Sequence, residues 1–145
     1  MNILFYLVPK SDVVYIYDDY TIARTMEAMK PSRFMSVPIL NRKGKYVGSI
    51  TEGDLLWGLE ELRESGRPSP ETVPVRQLKR NRHNEAVNIN CDMEDLIPTA
   101  MRQNYIPVTD DDGTFIGIVT RKSIMTYCAE LSGFTAPGSE TEKEQ

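Results

Sequence analysis

The stretch Gly48-Ser49-Ile50-Thr51-Glu52-Gly53-Asp54 decides the fold of this 145-residue chain. A strand-like run at residues 45–47 precedes it, and an amphipathic run at residues 55–59 follows it. The sequence therefore predicts a strand that turns directly into a helix, with Thr51 as the helix cap. The free backbone N–H groups of such a first turn can hold an anion. Asp54 stands where either a capping-box partner or a ligand-facing carboxylate would lie.

This pattern occurs twice in the chain. Residues 37–51, VPILNRKGKYVGSIT, recur 69 positions later as residues 106–120, IPVTDDDGTFIGIVT, without a gap. One proline, two glycines and one threonine coincide, and the apolar positions match in type. A repeat of this length predicts two homologous halves.

Each half is predicted to run strand, helix, strand, strand, helix. In the first half these are a strand at 13–17, a helix at 21–30, hairpin strands at 37–40 and 45–50, and a helix after Thr51. In the second half they are a strand at 86–89, a helix at 92–102, hairpin strands at 106–109 and 115–119, and a last helix. Pro98 conflicts with an uninterrupted helix, since proline is tolerated only in a first turn. The helix therefore either begins near Asp95 or is kinked.

These elements predict an α+β fold of tandem repeats around a pseudo-twofold axis. The predicted parts are a first repeat at 1–66, a linker at 67–74, a second repeat at 75–131 and a flexible tail at 132–145. The apolar segment from Val75 to Leu78 corresponds to the apolar segment at the start of the chain. Each half alone has a thin core, so we expect the halves to bury their apolar faces against each other, leaving two clefts near the repeated turns.

Composition excludes several classes of function. The net charge of −4 argues against a binder of nucleic acid polymers. His83 is the sole histidine, so no multi-histidine metal site can form; we see no Ser/His/Asp arrangement in the sequence, and we expect no enzyme. Cys91 and Cys128 lack CxxC spacing and indicate thiols in a reducing compartment. The apolar run at 3–8 is too short to span a membrane, and we expect a cytoplasmic protein.

The tandem repeats, each with an apolar-Pro-apolar strand and Gly-x-x-Thr before a helix, resemble a CBS-domain pair, or Bateman module. The resemblance covers roughly residues 3–131. Residues 48–54 match the family pattern of Gly, two residues, Ser or Thr, two residues and Asp. The resemblance implies that Thr51 contacts ribose or phosphate and that Asp54 accepts hydrogen bonds from the ribose hydroxyls.

The second copy of the pattern departs from the family at its last position. Thr120 matches, but Ser123 stands where the aspartate belongs, which puts ribose recognition at this turn in doubt. Arg121 and Lys122 place two cations at the start of the helix, a placement that the helix dipole disfavours unless an anion bridges them. We therefore expect this half to bind phosphate, with Arg121 the better candidate because its guanidinium can bind bidentately. Two ordinary solvated side chains are the alternative.

Two further groups of residues could contact the ligand. The apolar-Pro pairs resemble elements that flank adenine; they are Val37 with Pro38 and Ile106 with Pro107. A small basic cluster either forms a solvated loop or contacts ligand phosphates or a partner; it comprises Arg76, Lys79, Arg80 and Arg82.

The leading hypothesis is a stand-alone regulatory module that binds an adenine nucleotide, namely AMP, ADP, ATP or cyclic di-AMP, in the cleft between the repeats. Such modules commonly pair through their helices, so we expect a homodimer with its interface around Leu55, Leu59, Ile124 and Cys128. The nucleotide would act as a regulatory ligand rather than as a catalytic cofactor. The alternative is a protein-interaction scaffold whose nucleotide clefts are vestigial.

Overall fold

The computed structural model of the chain describes residues 1–32, 34–66, 69–80 and 84–134. The expectations for Arg82, His83, part of the linker and the tail beyond residue 134 lie outside these residues. Within them, no helix is long and apolar enough to cross a membrane.

The described strands and helices follow the predicted order in both halves. The strands are β1 (Val8–Pro9), β2 (Ile16–Tyr17), β3 (Ser36–Leu40), β4 (Tyr46–Thr51), β5 (Val87–Asn88), β6 (Tyr105–Thr109) and β7 (Phe115–Thr120). The α-helices are α1 (Ile22–Met29), α2 (Glu52–Ser65), α3 (Ile97–Ala100) and α4 (Arg121–Leu131). Single 3₁₀ turns lie at Ile3–Tyr6, Lys10–Asp12, Val75–Gln77 and Met93–Leu96.

The chain forms two compact units, each built on one sheet. The central unit is Val14–His83, and the composite unit joins Met1–Val13 to Asn84–Gln145. The sheet of the central unit has the order β2-β3-β4, and that of the composite unit has the order β1-β7-β6-β5. In each sheet a short strand pairs in parallel with the first strand of an antiparallel hairpin. The predicted α+β fold of two repeats is confirmed.

The compact units are offset from the repeats that the sequence shows. Ile3 is fully buried in the hydrophobic cluster of the composite unit, and β1 pairs with β7 through Val8 and Ile118. Val75 begins the second repeat by sequence, yet it is fully buried in the cluster of the central unit. The leading segment of each repeat therefore packs with the sheet of the other repeat.

The two hairpins close through the same side-chain chemistry. Asn41 Oδ1 accepts hydrogen bonds from the backbone N–H groups of Lys43 and Lys45, at 3.0 Å each. Asp110 Oδ1 accepts the matching pair from Asp112 and Thr114, at 2.9 Å each. Residues 110–112 are therefore a hairpin turn, as the sequence indicates. The described residues contain no group of three or more His, Cys, Asp or Glu side chains that could hold a metal ion.

The predicted helix at 92–102 is wrong in its length and its type. A 3₁₀ turn at Met93–Leu96 comes first, and α3 covers only Ile97–Ala100. Pro98 lies in the first turn of α3, the one place where its missing N–H leaves no helical hydrogen bond unmade. The α-helix therefore begins slightly later than Asp95 instead of kinking. The strands β2 and β5 are also shorter than predicted.

The residues of the predicted dimer interface contribute to the hydrophobic cores of their own units. Leu55 and Ile124 are buried members of the two clusters, and Leu59 and Cys128 pack against them. Helix periodicity identifies an apolar face, and here that face covers the helix's own sheet. The outward face of α2 instead presents Leu56 at 58% exposure and Trp57 at 63%.

Candidate functional site

The first signature turn, residues 48–54, forms a complete capping box at the start of α2; the second signature turn is residues 117–123. Thr51 Oγ1 accepts a hydrogen bond from the backbone N–H of Asp54 at 3.0 Å. Asp54 Oδ2 accepts the reciprocal bond from the backbone N–H of Thr51, also at 3.0 Å. The predicted cap is confirmed, and it fixes a carboxylate that is only 5% exposed at the junction of β4 and α2.

The second signature turn forms a simpler cap at the start of α4. Thr120 Oγ1 accepts a hydrogen bond from the backbone N–H of Ser123 at 3.1 Å. The Thr120 hydroxyl also lies 3.0 Å from Ser123 Oγ, to which it donates. Since Ser123 carries a hydroxyl in place of a carboxylate, the two turns differ in charge although their backbones match.

Arg121 makes a contact that the sequence did not suggest. Its Nε donates a hydrogen bond to the carbonyl oxygen of Ala100, the last residue of α3, at 2.8 Å. Its backbone N–H donates to the carbonyl oxygen of Asn104 at 2.9 Å. The half-buried guanidinium therefore contributes to joining α3 to α4, whereas Lys122 is exposed.

The four apolar-Pro residues lie inside the sheets. Pro38 and Pro107 are buried in β3 and β6. Val37 and Ile106 are fully buried in the hydrophobic clusters of their units. Core packing accounts for these two side chains.

Arg80 is the functional candidate to which sequence reasoning gave too little weight. A Cβ atom placed on Gly48 would lie 2.2 Å from Arg80 Nη1, so the guanidinium rests on the backbone of the first signature turn. Burial raises the pKa of Tyr46, two residues earlier, while a hydrogen bond to Ser49 and the charge of Arg80 oppose that rise. The signal in the sequence was Gly48 itself, a repeated glycine that makes room for another group. Arg76 and Lys79 of the same basic cluster are exposed.

The repeats and their turns match one family of domains. The model of the CBS domain matches the chain twice, at residues 7–61 and 75–130. The chain belongs to the CBS-domain family. The predicted CBS-domain pair is therefore confirmed.

Known CBS-domain proteins resemble the chain along most of its length. The CBS domain-containing protein CBSX1, chloroplastic, of Arabidopsis thaliana is 22% identical over 150 residues, which cover 87% of this chain and 63% of the plant protein. This chain thus spans less than two thirds of that relative. The crystal structure of CbpB in complex with c-di-AMP has a TM-score of 0.75 and 24% identity, covering 92% of this chain and 87% of CbpB. The crystal structure of CBSX2 in complex with AMP has a TM-score of 0.71 and 18% identity, with coverages of 90% and 98%.

Proposed function

We propose that this CBS-domain pair is a regulatory module that binds an adenine nucleotide. The observation that carries the proposal is the Asp54 carboxylate, held almost fully buried by the capping box at the start of α2. A fixed carboxylate suits the two hydroxyls of a ribose, which can both donate to it. Two proteins of the same fold, CbpB and CBSX2, have been crystallised with c-di-AMP and with AMP respectively.

The proposed site divides recognition between the two signature turns. Thr51 and Asp54 would bind ribose, and Thr120 with the cations Arg121 and Lys122 would bind phosphate. The buried strands would flank the adenine through their backbones, at Val37-Pro38 and Ile106-Pro107. The ligand would regulate by binding one of two conformational or partner-bound states more tightly than the other.

A thermal melting screen of the purified chain tests this function. The ligands are adenosine, AMP, ADP, ATP and cyclic di-AMP, with guanosine and GTP as controls for the base. A ligand that binds only the folded state at 100 times its Kd adds about 2.7 kcal/mol to the free energy of unfolding, which raises Tm by several degrees. We expect at least one adenine ligand to do this and the guanine controls to have less effect. No shift with any adenine ligand would contradict the proposal.

A protein-interaction scaffold is the second candidate, and one observation favours it. Thr51 and Asp54 bond to each other's backbone, so the turn is locally complete without any ligand. A flat melting screen together with retained pairing of the chain would support the scaffold.

We also propose that the chain forms homodimers through the groove between α1 and α2. This groove has a volume of about 450 Å³ and an apolar lining; the residues around it are Met26, Glu27, Met29, Lys30, Phe34, Glu52, Leu55, Leu56 and Leu59. Met26 and Leu56 at its rim are 41% and 58% exposed. A second copy would remove these side chains from water, which favours association. Sedimentation velocity measures this pairing.

A further inference from the structure

The guanidinium of Arg80 packs against the backbone of the first signature turn. A Cβ on Gly48 would lie 2.2 Å from Arg80 Nη1, a distance that real Cβ contacts essentially never show, and 3.1 Å from Cζ. The guanidinium therefore occupies the space that a side chain at residue 48 would take. Gly48 also has a φ of +151°, which L side chains rarely adopt. Both features favour glycine at position 48, and the absence of a side chain there leaves space for the guanidinium.

The Nη1 atom of Arg80 is buried and has no hydrogen-bond partner among the residues that the structure describes. An arginine stays protonated at all ordinary pH values, so a buried donor here carries part of a full positive charge. Leaving such a donor unpaired costs free energy, and native proteins rarely do so without a reason. Other arginines in the described part have partners: Arg42 bonds Asp19, and Arg121 bonds Ala100.

An anion would compensate this charge. Arg80 as a whole is half-buried, so part of its side chain remains open to solvent while Nη1 faces Gly48. The charge is delocalised over the guanidinium, and an anion at the exposed edge offsets the desolvation of the buried edge. The planar fork of arginine matches two oxygens of a phosphate group.

Arg80 lies against Gly48, and Gly48 is only a few residues from Asp54, so both side chains can act on one ligand. Gly48 precedes Thr51 by three residues of β4, and three extended residues span about 10 Å. One nucleotide can therefore reach Asp54 with its sugar and Arg80 with its phosphates. Both residues belong to the central unit, and so do the first N–H groups of α2.

We propose that Arg80 binds a phosphate group of the nucleotide whose ribose binds Asp54, so that the central unit supplies both recognition groups. This inference rests on the proposed function and deepens it, because it makes Arg80 the main phosphate-binding cation. Arg121 Nε already donates to the carbonyl oxygen of Ala100, so its guanidinium has a structural role as well.

Calorimetric titration of matched variants tests the assignment. Arg80→Gln removes the charge, Arg76→Gln removes a neighbouring exposed charge of the same cluster, and Arg121→Gln removes the rival cation. The ligands are adenosine and whichever phosphorylated adenine ligand binds the parent chain best. We expect Arg80→Gln to raise the Kd of the phosphorylated ligand about 10-fold to 100-fold and that of adenosine less than about 2-fold. Arg76→Gln should stay near the parent values, and Arg121→Gln should weaken the phosphorylated ligand less than Arg80→Gln does.

A second variant moves Arg80 without replacing it. In Gly48→Ala the new Cβ would displace the guanidinium and strain a backbone with a φ of +151°, so we expect some loss of stability together with a selective loss of the phosphorylated ligand. Gly53→Ala is the control, because its Cβ would approach nothing closer than Thr51 Oγ1 at 3.7 Å. Inorganic pyrophosphate serves as a probe that needs no ribose: it should raise the Tm of the parent chain but not that of Arg80→Gln.

The outcomes separate this inference from the proposed function. If nucleotide binds the parent chain and Arg80→Gln equally well, the role of Arg80 is overturned and the proposed function stands. If no nucleotide binds but pyrophosphate stabilises the chain only when Arg80 is present, the anion site stands and the proposed function fails. If Arg121→Gln alone weakens the phosphorylated ligand, phosphate recognition belongs to the second turn. If neither nucleotide nor pyrophosphate raises Tm, both proposals are wrong.

Discussion

At the scale of single residues, Asp54 combines a structural and a proposed binding role in one carboxylate. Its Oδ2 completes the capping box with Thr51, so truncation to alanine would disturb α2 as well as any ligand. Replacement by asparagine separates the two roles. The amide oxygen can still accept from the backbone N–H of Thr51, but the negative charge is lost.

Asp54→Asn is therefore predicted to weaken adenosine binding by about 1–3 kcal/mol, the scale of one charge-assisted hydrogen bond. Its effect on the free energy of unfolding should be smaller, about 0.3–1 kcal/mol, because the asparagine keeps the capping hydrogen bond while the favourable interaction with the helix dipole is lost. Calorimetric titration and urea unfolding measure the two effects.

Asp95→Asn is the matched control for this prediction. Asp95 Oδ2 accepts from the backbone N–H of Asp92 at 3.2 Å in an equivalent capping box, outside the proposed site. We expect this variant to lose some stability and to bind adenosine like the parent chain. Equal adenosine affinity in both variants would show that Asp54 is only a helix cap.

At the scale of secondary-structure elements, α2 and α4 begin with the same backbone but with different caps. Thr51 and Asp54 exchange two hydrogen bonds, whereas Thr120 and Ser123 leave the backbone N–H of Thr120 without the reciprocal carboxylate. The start of α4 also carries Arg121 and Lys122, two cations at the end where the helix dipole disfavours them.

Ser123→Asp is predicted to stabilise the chain by about 0.5–1 kcal/mol. The new carboxylate would complete the capping box with Thr120 and add a negative charge to the first turn of α4. The midpoint of urea unfolding should rise while the slope stays unchanged.

Thr126→Asp is the control, because it adds the same charge one turn later at an exposed position of α4. There the charge has no cap to complete, and we expect no stabilisation. A midpoint for Ser123→Asp at or below that of Thr126→Asp would mean that the start of α4 cannot adopt the geometry seen at α2.

At the scale of the whole molecule, the exposed groove between α1 and α2 predicts that two chains pair. Leu56→Lys places a charge at the rim of the groove and keeps α2 intact, since lysine can pair with Glu52 and Glu60 four residues away on either side. We expect the parent chain to sediment as a dimer and Leu56→Lys to shift towards monomer, with at least a 10-fold weaker dimer.

Met101→Lys is the control for pairing, because Met101 is 81% exposed and lies outside the groove. This variant should sediment like the parent chain. A parent chain that remains monomeric at tens of micromolar, or a Leu56→Lys variant that still pairs, would exclude the groove as the interface.

The features that depend on local chemistry could be predicted from the amino-acid sequence. The repeat at 37–51 and 106–120 fixed the order of the elements, and the family pattern fixed the fold. The Thr51 cap and the turns at Asn41 and Asp110 are as predicted, because each is made by side chains that bond backbone groups two to four residues away. Pro98 marked a real irregularity, although the pattern could not place the start of α3.

Only the tertiary structure decided which segments and side chains meet. Ile3 and Val75 are apolar in either repeat, and periodicity carries no information on which sheet buries them. Leu55 and Leu56 both read as part of an apolar run, yet one faces the core and the other faces solvent. Arg121 bonds Ala100, which lies 21 positions earlier in the chain. Arg80 packs on Gly48, which lies 32 positions earlier. Such contacts depend on how the chain folds back on itself, and a local pattern cannot specify them.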